Sequence, residues 1–133
     1  MSSNLFLYRY PNDPKGRYIE KTAQKIEGCF ISDDILQEIE DLKPWAELTV
    51  FEEAEDDAKN MVTCVSGPRV GDLKQRMVEL FLRSTADEHL SQEATEGMDS
   101  QITTVRTICN IHFLLRLKLE QFEADDRVVI QLG

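Results

Sequence analysis

The spacing of apolar positions changes several times along the chain, and each change marks an element. Leu5-Phe6-Leu7-Tyr8-Arg9-Tyr10 is an apolar and aromatic run that stops at Pro11. It predicts a strand, with Pro11-Asn12-Asp13-Pro14 as the turn that follows. In residues 17–27, Ile19, Ala23 and Ile26 fall at i, i+4 and i+7. That is the spacing of one helical face, with Gly28 placed to end the helix. Ser32-Asp33-Asp34 predicts a helix start, with Ser32 as cap and two carboxylates at the positive end of the dipole. Ile35, Leu36, Ile39 and Leu42 then form one apolar face, and Pro44 should stop the helix at or before Lys43.

Leu48-Thr49-Val50-Phe51 and Met61-Val62-Thr63-Cys64-Val65 are β-prone runs separated by the polar stretch from Glu52 to Asn60. They predict a hairpin with a long acidic loop, broken afterwards by Ser66-Gly67-Pro68. Asp72 followed by Gln75 resembles a capping box, and Val70, Leu73, Met77, Leu80 and Phe81 continue at helical spacing to about Leu90. Residues 91–99 are polar, contain Gly97 and read as a loop. In residues 101–122 both periods fit. A helix aligns Ile102, Val105, Cys109, Leu115, Leu119 and Phe122, whereas a strand aligns Ile111, Phe113, Leu115, Leu117 and Leu119. The absence of Gly or Pro across 22 residues predicts the helix, since strands usually run about five or six. Val128-Val129-Ile130-Leu132 reads as a final strand. The chain of 133 residues is therefore expected to be a single α+β domain over 1–133, a small mostly antiparallel sheet packed against three or four helices.

Charge sharpens this picture. The formal net charge is −10, and its distribution is uneven. Residues 1–25 carry five basic and two acidic groups, residues 26–66 two basic and twelve acidic, and residues 67–133 eight basic and eleven acidic. An anionic chain disfavours nonspecific binding to a nucleic-acid backbone, so nucleic acid is not the expected partner. The Tyr8, Tyr10 and Tyr18 rings interleaved with bases between Arg9 and Lys25 have the composition of a single-strand-binding surface, but the overall charge opposes that role, and an edge strand blunted by charge is the simpler reading. No stretch approaches the roughly 20 apolar residues of a membrane span. Three widely spaced cysteines, no secretory signal and no Asn-x-Ser/Thr acceptor suggest a reducing compartment, cytoplasmic or nuclear.

Candidate chemistry is sparse. Cys109-x-x-His112 places two metal-ligand types one helical turn apart, and Cys29 and Cys64 would complete a tetrahedron. Zinc sites read from sequence come as two close pairs, so the thiols are expected in the core and no metal or cofactor is assigned. Asp33-Asp34, Glu52-Glu53, Asp56-Asp57 and Asp125-Asp126 match no calcium loop. Gly67-Pro68-Arg69-Val70-Gly71 lacks the Lys-Ser/Thr ending of a phosphate loop. His89 and His112 accompany no nucleophile motif.

The expectation is a non-catalytic interaction protein, cellular or viral, acting as an adaptor, regulatory or accessory factor. Trp45 and the acidic group Glu52, Glu53, Glu55, Asp56 and Asp57 are the candidates for engaging a basic protein surface. The apolar surplus of residues 108–119 exceeds one helical stripe, which assigns Ile108, Ile111, Leu115 and Leu119 to self-association in a homo-oligomer, with a fully enclosed central helix as the alternative. The alternatives are an acidic mimic of nucleic acid occupying a basic groove on a partner, and a metal-dependent enzyme built on Cys109 and His112.

Overall fold

The computed structural model describes residues 3–55, 57–87 and 95–133. Along the chain run β1 (Ser3–Arg9), β2 (Tyr18–Ile19), β3 (Gln24–Ile31), α1 (Asp33–Asp41), β4 (Trp45–Phe51), β5 (Lys59–Val65), α2 (Val70–Asp87), α3 (Thr95–Gln121) and β6 (Val128–Leu132). The six strands form one sheet in the order β2-β4-β5-β6-β1-β3. Every pairing is antiparallel except the short parallel contact of β2 with β4. The class is α+β, as the pattern predicts, with a larger sheet than expected. Among the described residues there are three α-helices, and none is long and apolar enough to cross a membrane.

The two ends of the chain meet in the middle of the sheet. β1 lies between β3 and β6, with Leu7 opposite Ile130 and Arg9 opposite Val128. Leu5 and Leu7 alternate with Phe6 and Tyr8, so β1 divides its apolar side chains between the two faces. The helices cover the Leu5 face. There Ile35 and Ile39 of α1, Leu73, Met77 and Leu80 of α2, and Ile108, Ile111, Leu114 and Leu115 of α3 close on Ile31, Val65, Val128 and Ile130.

On the other face, Tyr10, Val50 and Cys64 are buried outside that cluster. From the end of β1 the chain runs back to β2 at the far edge of the sheet, with the Tyr18 ring 5.4 Å from the Tyr10 ring. Arg127 pins this segment: its guanidinium donates to the carbonyls of Tyr10 at 3.0 Å, Pro11 at 2.9 Å, Gly16 at 3.2 Å and Arg17 at 2.6 Å. It also lies 4.2 Å from the centre of the Tyr18 ring. The Tyr10 hydroxyl donates to Gln131 Oε1 at 2.7 Å. Burial, with smaller contributions from Glu20, Tyr8 and Cys64, pushes that phenol up to about 12.

Several local expectations are corrected. Residues 17–27 are β2, a 3₁₀ turn at Glu20–Thr22 and the start of β3, not a helix. Three apolar residues make a thin stripe, whereas pairing with β1 gives β3 a hydrogen-bonded ladder along one edge. Gly28 is not a helix stop. It lies in mid-strand opposite Phe6, and a Cβ there would meet the Phe6 ring at 2.8 Å. The ring thus lies across bare backbone, bounded on its other side by Gly133. Ser32 stands at the start of α1 and its carbonyl accepts from Leu36, but its buried Oγ makes no capping bond. Asp72 lies inside the first turn of α2, paired with Arg69 at 3.2 Å, because the 3₁₀ turn Gly67–Arg69 starts the helix earlier. The expected loop at 91–99 falls partly outside the described residues, and 95–99 are helical. The first turn of a helix tolerates Gly97 because its amides have no i−4 partner to lose.

The remaining elements follow the pattern. α1 ends at Asp41 before Pro44, and Lys43 takes the left-handed conformation (φ 48°) that often closes a helix. The acidic hairpin is β4–β5, α3 is helical, and β6 is the closing strand.

Candidate docking groove

Most residues singled out from the sequence do not form a common site. Ile108, Ile111 and Leu115 are buried in the core, and Leu119 packs against it from the side. This corrects their assignment to a self-association face, because a side chain already enclosed by its own subunit has no apolar area left to offer a second copy. Most of the surplus over one stripe is absorbed because α3 packs against the sheet and α2 at once, while Phe113 stays 49% exposed. Trp45 opens β4 and packs, half-buried, against the same core.

The acidic residues are at the far edge of the sheet. Glu52, Glu53, Glu55 and Asp57 are exposed at the β4–β5 turn, and Asp56 lies outside the described residues. Part of that charge is answered within the chain. Lys21 Nζ reaches Glu53 Oε1 at 3.1 Å, Arg17 donates to the Ala54 carbonyl, and the Arg17 guanidinium sits 4.5 Å from the centre of the Phe51 ring.

The thiols do not converge either. Cys109 is exposed on α3, Cys29 packs against the main core, and Cys64 is buried on the opposite face of the sheet. Among the described residues no group of three His, Cys, Asp or Glu could hold a metal ion. Burial holds the Cys29 thiol up at about 11 and raises Cys64, which leaves both as protonated, unreactive core groups at neutral pH. His89 lies outside the described residues.

Cys109 and His112 instead line a groove with α2. Helix α2 contributes Met77, Val78 and Phe81, α3 contributes Ile108, Cys109 and His112, and the enclosed volume is about 240 Å³. Met77 and Ile108 also belong to the core, so the groove is a shallow extension of it to the outer surface. Beside it on the two helices are Phe81, 37% exposed, Leu82, 61% exposed, and Phe113, 49% exposed. Large apolar side chains so placed lose contact with water only if something else covers them.

The groove is also where positive charge gathers. Lys74 is one turn before Val78, Arg106 is three residues before Cys109, and Arg116 is four after His112, so each lies on the helical row of a groove residue. Arg116 is paired with Glu120 at 3.1 Å, whereas Lys74 and Arg106 have no ion pair among the described residues. The His112 imidazole registers this. Burial lowers its pKa most, Lys74 and Arg116 lower it further, and Glu120 opposes them. At neutral pH it is uncharged and leaves the groove floor apolar.

Sequence reasoning missed this surface. Phe81 was assigned to the buried stripe of α2, although Leu82 beside it cannot share that stripe. Phe113 falls within the apolar surplus of 108–119 but not among the four residues assigned to self-association. The available signal was apolar residues outside the helical core stripe: Val78 and Leu82 on α2, Cys109 and Phe113 on α3.

The chain matches no family model, no curated protein and no solved structure in the comparisons made with them.

Proposed function

We propose that this protein is a non-catalytic protein-binding module, an adaptor or regulatory accessory factor that docks a partner on the groove between α2 and α3. The observation that carries the reading is the cluster of Phe81, Leu82 and Phe113 around an apolar groove continuous with the core. Large aromatic side chains beside a concave apolar surface are the usual anchors of an interface.

The acidic hairpin tip is a second, weaker element of the same reading. Exposed carboxylates at Glu52, Glu55 and Asp57 attract a basic surface over a distance of about 10 Å at moderate salt and lose that attraction as salt rises. The tip would affect association rate, and the groove would affect how long a complex lasts.

The test is site-specific photocrosslinking in cells of the source. A photoreactive residue at position 82 or 113 should capture a protein that the same residue at 47, on the exposed side of β4, does not. Phe81→Asp in the same chain should abolish the capture. Equal capture from all three positions, or capture insensitive to Phe81→Asp, would remove the groove as the docking point.

A further inference from the structure

We infer that the occupant of the α2–α3 groove is an acidic amphipathic segment of a protein partner, with an apolar side chain seated between Phe81 and Cys109 and carboxylates facing Lys74, Arg106 and Arg116. This rests on the protein-binding reading above and adds the chemistry of the partner.

The argument is one of local against average charge. The chain as a whole carries −10, which taken alone predicts a basic partner. That charge resides in residues 26–66, shared between the β4–β5 turn and α1, where Asp33, Asp34, Glu40 and Asp41 are exposed. Salt screens exposed charge over about 8–10 Å, so a docked segment responds most to the groups nearest the groove. What it meets is the set beside the groove. Lys74, Arg106 and Arg116 supply three cations, and among the described residues Glu120, already engaged by Arg116, is the carboxylate that perturbs His112. Glu79, on the outer side of α2, is held by Arg76 at 3.6 Å. Arg76 and Arg83 turn away from the groove toward Glu38 on α1, at 2.9 and 3.7 Å.

A basic segment laid in the groove would bring like charges together, and among the described residues the nearby carboxylates Glu120 and Glu79 are already paired with Arg116 and Arg76. An acidic one would pair Lys74 and Arg106, which have no ion pair among the described residues. Between two parallel or antiparallel helices, the shape that fits is a third helix or an extended segment with apolar residues on one side. Charge flanking the apolar anchor sets which partner is accepted, since like-charge contacts are costly at a desolvated surface.

The experiment uses the full chain, isotope-labelled, and two synthetic 15-residue peptides. They share the same helical row of Leu and Phe and differ only in having Glu or Lys at the flanking positions. Backbone amide signals of Val78, Phe81, Cys109 and His112 are followed during titration at two salt concentrations. The Glu peptide should move these signals and bind roughly tenfold more tightly than the Lys peptide, the effect expected of two or three exposed charge pairs. The preference should shrink at high salt. The double substitution Lys74→Glu with Arg106→Glu should reverse it while amide dispersion shows the fold intact. Equal or tighter binding of the Lys peptide overturns the charge assignment and leaves the groove as a docking point. No response to either peptide overturns the groove itself and with it the protein-binding reading. A solution mass twice the 15.3 kDa of the chain, returned to one copy by Phe113→Glu, overturns the acidic segment in favour of a second copy of this protein.

Discussion

On the helical side of the sheet, closure comes from packing. Sixteen buried residues from β1, β3, α1, β5, α2, α3 and β6 form one continuous cluster. On the other side, closure comes from hydrogen bonds made to loop carbonyls by one arginine, with Tyr10, Val50 and Cys64 buried beneath. The two solutions differ in how they fail. An apolar core is non-directional: it loses stability in proportion to the volume removed and relaxes partly around the loss. A guanidinium that satisfies four carbonyls is directional, and removing it leaves several acceptors without partners at once. The packed side also spills over its own rim into the α2–α3 groove, whereas the arginine-pinned side presents Phe30, 47% exposed, beside the half-buried rings Phe6 and Tyr8. Robust packing can tolerate an exposed apolar groove on its outer surface, because the residues lining the rim are not the ones that hold the fold.

Substitutions at four positions break or sharpen that contrast. The largest effect belongs to the packed side. Leu114 is fully buried beneath α3, and Leu114→Ala should lower unfolding free energy by about 2–5 kcal/mol in urea titration. Next is Arg127→Ala, expected to cost about 2–3 kcal/mol, as charged hydrogen bonds do. Its signature is local: amide exchange should accelerate in residues 10–18 while α3 stays protected. Arg127→Lys should recover little, because an ammonium lacks the planar fork that reaches four carbonyls.

Tyr10→Phe is smaller, about 1 kcal/mol at neutral pH for the lost bond to Gln131. It carries a pH test with a definite sign. Burial pushes the folded phenol up from its ordinary 10.0 to about 12, so the neutral form is favoured by folding. Its stabilisation is complete below about pH 10 and is lost as pH rises toward 12. Alkaline titration of unfolding should show a fall across that window in the native chain and a flatter profile in Tyr10→Phe. A steeper fall in the variant would contradict the burial argument. The smallest effect is Phe113→Ser, within about 0.5 kcal/mol of the native chain, because the ring is half in water already. A large loss there would mean that the groove rim supports the fold rather than a partner.

The same contrast explains what could be read in advance. Elements whose apolar residues repeat with one period and end at a breaker were legible: α1 between Ser32 and Pro44, the β4–β5 hairpin with its acidic turn, and β6. α3 was legible as a helix because nothing interrupts it, even though its residues fit a strand equally well. β2 and β3 were not, because their strand character comes from partners elsewhere in the chain, β4 for β2 and β1 for β3, and not from their own spacing. Of the candidate site, Cys109 and His112 were singled out for metal chemistry and found lining an apolar groove, while Phe81 was placed in the core. Periodicity says which side of a helix is apolar. It does not say how much of that side the neighbouring helix covers.

By itself the amino-acid order determined the α+β class, the uneven charge along the chain, and the absence of any motif for phosphate, calcium or a catalytic nucleophile. Those properties depend on residue identity and short-range spacing, which folding does not change. Tertiary structure alone decided that the ends of the chain are neighbours in the sheet, that Arg127 holds the 10–18 segment, and that the cations of α2 and α3 gather beside a groove in an anionic molecule. Each is a meeting of residues distant in sequence, and Coulomb forces, hydrogen bonds and packing act over ångströms in space regardless of how far apart the partners stand along the chain.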